Sequence, residues 1–181
     1  EALVAAGRPE EALRLLRRAA AQFGARRQRL RQAGAELTLA QLLAWEDPGR
    51  AIRLARSATT RFERAGAPRQ ALRSTALRTA CALSLGIADA AEAERLLAEC
   101  LRLGMRRDAL TLRVLLTGYS RRASELRLPP NTPLPLRLIA ADLRAGEAES
   151  AGRPSRAMRI IRDALDQLAA WQASFGSLDL Q

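Results

Sequence analysis

The 181-residue chain is 48% hydrophobic and 27% charged, a composition typical of folded globular proteins and not of disordered ones. Its net charge of +11 comes from 30 basic residues, all of them arginine, against 19 acidic residues. Because it has neither histidine nor lysine, it has no Ser-His-Asp or Cys-His nucleophile system, no Schiff-base lysine and no Walker-type phosphate loop, so we expect a non-catalytic chain.

Apolar residues recur with helical spacing along nearly the whole chain, and strand-like alternation is missing. This spacing predicts nine helices, the first of which, Glu1–Ala6, begins in mid-pattern. The others are predicted at 9–23, 26–45, 48–65, 68–85, 89–103, 106–122, 132–151 and 154–174. We therefore expect an all-α fold in a single helical repeat domain over 1–181, as a fragment of a larger protein.

Proline and glycine mark the predicted helix boundaries. Four prolines suit a first helical turn, where a missing N–H costs little: Pro9, Pro48, Pro68 and Pro154. Asp47 and Thr132 each precede a proline and are predicted to cap the following helix. Four glycines are predicted to end helices: Gly7, Gly66, Gly104 and Gly152.

The longest connection is proline-rich and lies near 123–135. It contains four of the eight prolines, namely Pro129, Pro130, Pro133 and Pro135. Such a composition predicts an extended, semi-rigid segment. Two interpretations remain open, a longer loop between repeats and a hinge or docking strand.

A frame of small and large apolar residues occurs four times, at positions i, i+4 and i+7 of a predicted helix. Its members are Ala12, Leu16 and Ala19; Ala51, Ala55 and Ala58; Ala93, Leu97 and Cys100; and Ala157, Ile161 and Ala164. These positions share one helix face, where small residues let a neighbouring helix approach closely. Each unit is predicted to be an antiparallel helical hairpin that buries its apolar face only by stacking on others.

The frame, preceded by Gly7 or Gly152, resembles the tetratricopeptide repeat (TPR), although the intervals between copies are longer than in that family. The segments Gly7–Ala12, Gly152–Ala157 and Phe175–Gln181 are similar to the TPR-like region of actinobacterial CHAT-domain proteins. In those proteins a caspase-like peptidase domain follows the helical repeats. The resemblance implies a right-handed solenoid of antiparallel hairpins that regulates a downstream peptidase domain, whose catalytic Cys and His are not in this sequence.

Arginines recur beside the frame and are the candidate partner-binding residues. They are Arg14, Arg53, Arg95 and Arg159, two residues after the first small position, and Arg17, Arg56 and Arg162, three residues further on. These positions point away from the packing face, so stacked repeats would align them in a ridge that we call the arginine ladder. The ladder is either a docking ridge for an acidic partner, through bidentate carboxylate contacts, or a solvated face.

A denser basic cluster contains Arg14, Arg17, Arg18, Arg26, Arg27, Arg29 and Arg31, with no acidic residue between Glu11 and Glu36. It is the best candidate for nucleic-acid backbone contact. Aromatic residues total only 3%, which leaves no stacking platform for bases, and no known nucleic-acid-binding motif occurs. We therefore do not expect a nucleic-acid partner.

These observations predict a non-catalytic regulatory module that binds a protein or peptide, and the arginine ladder leaves an acidic partner open as one alternative. The alternatives are a sensor or effector-binding repeat domain of a transcription regulator, and an arginine-rich nucleic-acid-binding scaffold. We expect no cofactor and no metal. We also expect no membrane contact, since no apolar run nears the length of about 20 residues that spans a bilayer. Cys81 and Cys100 are predicted to be reduced core residues, which indicates a cytoplasmic location.

Overall fold

The computed structural model describes residues 9–120 and 122–176, and the predicted helix Glu1–Ala6 and helix stop Gly7 lie outside them. Every regular element in these residues is helical and none is a strand, so the expected all-α class is confirmed. Across the same residues, no helix has both the length and the apolar character needed to cross a bilayer.

Eight α-helices and one short 3₁₀ helix make up the described part of the chain. They are α1 (Pro9–Ala25), α2 (Arg29–Leu43), α3 (Pro48–Arg64), α4 (Pro68–Ser84), α5 (Ala90–Arg102), α6 (Arg106–Tyr119), the 3₁₀ helix Ala123–Glu125, α7 (Leu134–Ser150) and α8 (Pro154–Gly176). Each α-helix begins and ends within three residues of its predicted bounds. The agreement follows from local signals, since apolar spacing, proline and glycine all act within a few residues.

One of the two predicted caps is confirmed and the other is wrong. Asp47 caps α3, and its Oδ1 accepts a 2.9 Å hydrogen bond from the backbone N–H of Arg50. Thr132 does not cap α7, because the helix begins at Leu134 and Pro133 occupies the cap position. The Thr132 hydroxyl instead donates to the carbonyl oxygen of Pro129 at 2.6 Å, inside the preceding turn.

The described residues form two compact units, which divide within α6 between Leu112 and Arg113. In the first unit α2 packs against α1 and α3, α3 also packs against α4, and α4 against α5. In the second unit α7 packs against α8 and against the 3₁₀ helix. The organisation of the whole chain as one repeat domain stays a prediction.

The predicted frame positions are mostly buried. In α3 all three alanines, Ala51, Ala55 and Ala58, are fully buried, and elsewhere Ala12, Ala93, Cys100 and Ala164 are buried. The half-buried frame positions are Leu16, Ala19, Leu97, Ala157 and Ile161. The buried alanines of α3 leave room for bulkier neighbours, so Ala51 and Ala55 share a core cluster with Leu39 and Leu43 of α2.

The first residues of the proline-rich connection are hydrogen-bonded to side chains of α7. Arg144 of α7 donates hydrogen bonds to the backbone carbonyls of Ala123, at 3.2 Å, and of Leu126. Glu147 accepts bonds from the backbone N–H of Ser124 at 2.6 Å and from its hydroxyl at 3.1 Å. These contacts hold residues 123–126 on the second unit, so this end of the connection is docked on α7.

Candidate partner-binding groove

A groove forms in the first unit where α1 and α3 lie on either side of α2. Both helices pack against α2, and Leu13 of α1 belongs to the same core cluster as Ala51 and Ala55 of α3. The resulting pocket has a volume of about 250 Å³. It is lined by Arg17, Ala20 and Ala21 of α1, Gln32, Glu36, Leu39 and Leu43 of α2, and Arg50 and Leu54 of α3. We call this feature the α1–α3 groove.

The floor of the groove is one face of α2. Residues 32, 36, 39 and 43 follow the three- and four-residue spacing that places side chains in a line along a helix. The first two, Gln32 and Glu36, are polar, and the last two, Leu39 and Leu43, are buried leucines. The floor therefore changes from polar to apolar along its length, and Leu54 extends the apolar part onto α3.

Glu36 is a buried carboxylate with three hydrogen-bond partners. It is 8% exposed, and its Oε1 accepts from Gln32 Nε2 at 3.0 Å. Its Oε2 accepts from Ser57 Oγ at 2.8 Å and from Arg61 Nε at 3.1 Å. Burying a charge is costly without such partners, so this network stabilises the contact between α2 and α3. The sequence gives only a weak indication of this network, namely that Glu36 is the single acidic residue of α2.

Arg17 and Arg50 enter the groove from opposite walls without an acidic partner. Arg17 is exposed and Arg50 half-buried, and neither forms an ion pair with any described residue. Two acidic residues lie nearby, one close to Arg50 along the chain and one in the groove, and both have other partners. Asp47 bonds the backbone N–H of Arg50, and Glu36 pairs with Arg61. The groove thus holds two unneutralised guanidinium groups beside an apolar floor.

The arginine ladder predicted from the sequence is exposed throughout. Arg14, Arg53, Arg56, Arg95, Arg159 and Arg162 are all exposed and lie on α1, α3, α5 and α8. Arg95 uses its Nε to donate to the carbonyl oxygen of Ala91 in the same helix, at 3.3 Å. Of the seven predicted arginines, Arg17 alone lines the groove.

Arg50 was not among the predicted site residues, and no repeated signal marks it. It stands immediately before the first small residue of its frame, where the other copies have Glu11, Glu92 and Arg156. The position therefore varies in charge between copies. Its place beside Arg17 is set by the packing of α1 and α3 on α2.

The remaining arginines of the basic cluster lie at and near the turn from α1 to α2. Arg18, Arg26, Arg27, Arg29 and Arg31 are all exposed, and none forms an ion pair with a described residue. Arg31 is within 3.5 Å of the side-chain oxygen of Gln28. Arg27 has a positive φ of 56°, in the left-handed region.

Both cysteines are free, buried thiols, as expected for core residues. Burial raises the pKa of the Cys81 thiol from 9.0 to about 11. Burial also raises the pKa of Cys100 to about 11, with smaller contributions from the carboxylates of Asp108 and Glu99. Both thiols are therefore protonated near neutral pH, the form that does not act as a nucleophile or metal ligand.

Comparison of the chain with protein-family models, with curated proteins and with solved structures finds no match.

Proposed function

We propose that this chain is a non-catalytic protein–protein interaction module and that the α1–α3 groove receives its partner. The observation that carries the proposal is the pair Arg17 and Arg50, which lie on opposite walls and lack acidic partners among the described residues. Leu54, Ala20 and Ala21 supply accessible apolar area to bury, and a few polar groups beside them supply specificity. Arginine is also enriched among the residues that dominate binding energy at protein interfaces.

We further propose that the helices continue as a TPR-like right-handed solenoid of antiparallel hairpins. The recurring frame and the packing of consecutive helices support this architecture. By its resemblance to the repeats that precede a CHAT peptidase domain, the module would regulate such a domain downstream. Its buried free thiols support a location in the cytoplasm, where thiols stay reduced.

Peptide display on the full 181-residue chain tests the groove. Random peptides are selected on the wild-type chain and then measured against the double variant Arg17→Glu/Arg50→Glu. We expect their affinity to fall at least tenfold, because both cations are inverted. The control variant Arg14→Glu/Arg53→Glu changes the same charge on the same two helices at exposed positions outside the groove lining. Its affinity for the selected peptides should stay within about twofold of wild type.

Either of two outcomes would overturn the groove assignment. If the selected peptides lose affinity in the Arg14/Arg53 variant and not in the Arg17/Arg50 variant, the arginine ladder is the binding surface. If repeated selections yield no peptide above background, the chain does not act as a peptide-binding module. Circular dichroism and thermal unfolding of each variant establish that the loss is one of contact and not of fold.

A second candidate function, binding of nucleic acid, is favoured by the exposed basic cluster around the α1–α2 turn. Phosphate contacts by several arginines produce a steep, log-linear fall of affinity with salt. Anisotropy of a labelled 20-base-pair DNA duplex, titrated with the chain from 50 to 200 mM salt, measures that slope. A slope that is steep in the wild type and shallower in Arg26→Glu/Arg29→Glu/Arg31→Glu would favour the scaffold function over the groove.

A further inference from the structure

We propose that the α1–α3 groove recognises an acidic, aliphatic peptide segment. Its carboxylates pair with Arg17 and Arg50, and a neighbouring leucine, isoleucine or valine lies on the apolar floor. The inference rests on the proposed function and specifies the partner of the same site.

The charge of the groove selects carboxylates. Arg17 and Arg50 each offer a planar set of N–H donors that fits a carboxylate in a bidentate contact. Within the described residues no acidic side chain forms an ion pair with either of them. Because Arg50 is half-buried, its charge is less screened by solvent than that of an exposed ladder arginine. A partner's carboxylate is the group that would neutralise both.

The floor of the groove selects an aliphatic side chain. Leu39 and Leu43 lie buried beneath it, so the apolar surface open to a partner belongs to Leu54 on α3 and to Ala20 and Ala21 on α1. Among the described lining residues none is aromatic. The groove's volume of about 250 Å³ is below the range of about 300–1,000 Å³ typical of enclosed small-molecule sites. This size suits one or two side chains of a peptide that continues past the groove along the flanking helices.

The lining of the groove offers no contact to the bases of a nucleic acid. Among the described residues that line it, no aromatic side chain provides a platform on which bases could stack. Glu36 also lines the groove, but its carboxylate is buried and pairs with Arg61, so the charges presented to a partner are those of Arg17 and Arg50.

Three labelled peptides of equal length test the recognition chemistry on the full chain by fluorescence anisotropy at 150 mM salt. The first alternates glutamate with leucine, the second replaces each glutamate by glutamine, and the third replaces each leucine by serine. We expect the glutamate–leucine peptide to bind at least tenfold more tightly than either of the others. Equal affinity for the glutamine–leucine peptide would overturn carboxylate recognition, and equal affinity for the glutamate–serine peptide would overturn the aliphatic requirement.

A charge exchange assigns the recognition to the two groove arginines. Arg17→Glu/Arg50→Glu should weaken the glutamate–leucine peptide at least tenfold and bind a lysine–leucine peptide more tightly than the wild type does. Arg14→Glu/Arg53→Glu should change neither affinity by more than about twofold. Loss in the Arg14/Arg53 variant without loss in the Arg17/Arg50 variant would overturn both the inference and the proposed function.

The two proposals fail in different ways. If displayed peptides prove neutral or basic and yet depend on Arg17 and Arg50, the groove remains the binding surface and the acidic, aliphatic specificity is wrong. If Leu54→Asn leaves the affinity for the glutamate–leucine peptide unchanged while its melting temperature matches the wild type, the floor takes no part in binding. That result also overturns the aliphatic part of the inference.

Discussion

At the scale of single residues, Arg27 occupies a position that the other helix ends give to glycine. In the described residues, five helices end with the paired bonds of a Schellman turn, and the left-handed residue is Arg27, Gly66, Gly86, Gly104 or Gly152. In α1 the bonds run from the N–H of Arg27 to Gly24 O at 3.0 Å and from that of Gln28 to Phe23 O at 2.9 Å. For a residue with a Cβ this conformation costs about 1–2 kcal/mol of conformational free energy, a cost that glycine does not have.

We predict that Arg27→Gly raises the free energy of unfolding by about 1 kcal/mol, because it removes the left-handed strain. Urea unfolding followed by circular dichroism measures the change. Arg27→Ala removes the same charge and keeps a Cβ, so it should give no comparable gain. Gly66→Ala, at the equivalent position of α3, should lose about 1 kcal/mol. Equal gains from Arg27→Gly and Arg27→Ala would show that charge repulsion among the arginines, and not backbone strain, destabilises this turn.

At the scale of helices, two interior glycines have opposite surroundings. A Cβ built on Gly118 of α6 would lie 2.6 Å from both terminal carbons of Leu143 on α7, and 3.0 Å from its Cγ. A Cβ built on Gly146 of α7 would meet no atom within 4 Å. Gly118 therefore permits a close approach to Leu143, whereas Gly146 contributes only the conformational freedom that weakens a helix.

We predict that Gly118→Ala lowers the free energy of unfolding by about 1 kcal/mol, since overpacking exceeds the gain in helix propensity. Gly146→Ala should raise it by about 0.8–1 kcal/mol. Thermal and urea unfolding measure both. In a Leu143→Ala background, Gly118→Ala should become stabilising, because the obstructing side chain is gone. A stabilising Gly118→Ala in the wild-type background would mean that Leu143 moves aside at no cost.

The positions of the helices could be predicted because their sequence signals are local. How deeply each helix face is buried could be predicted less well. The frame of α3 is fully buried at Ala51, Ala55 and Ala58, as its spacing predicts. In α1 the same frame leaves Leu16 and Ala19 half-buried. The physical difference is that α3 packs between α2 and α4, whereas among the described helices the backbone of α1 lies close to that of α2 alone. A repeat pattern indicates which face is apolar, and tertiary neighbours decide how much of it is covered.

At the scale of the molecule, the groove depends on a pairing that no sequence pattern contained. Arg17 was predicted as a candidate binding residue from its repeated position, whereas Arg50 was not. Both line one groove because α1 and α3 pack on α2, a property of tertiary packing. Glu36, buried beside them, could not be predicted either, since its partners Ser57 and Arg61 come from the next helix. The repeated arginines left open a docking ridge for an acidic partner and a solvated face, and packing places Arg17 and Arg50 in the lining of one groove.

Because the chain contains no lysine, its stability at alkaline pH depends strongly on the protonation of its two thiols. Cys81 and Cys100 have their pKa raised to about 11 in the folded state, against 9.0 for an unburied thiol. Folding therefore favours the protonated thiols, and their contribution is complete below pH 9 and is lost as the pH rises towards 11. The chain contains no lysine, the side chain that most often loses a proton in this pH window.

We predict that the free energy of unfolding falls between pH 9 and 11, by at most about 1.4 kcal/mol per pH unit for each thiol. Urea unfolding at pH 8, 9, 10 and 11 measures the slope. Cys81→Ala/Cys100→Ala should begin from a lower stability, since it leaves two small cavities, but should lose the thiol contribution to the slope. Tyr119→Phe removes the single phenol and serves as the control for its contribution. A double-cysteine variant with an unchanged slope would place the alkaline sensitivity outside the buried thiols.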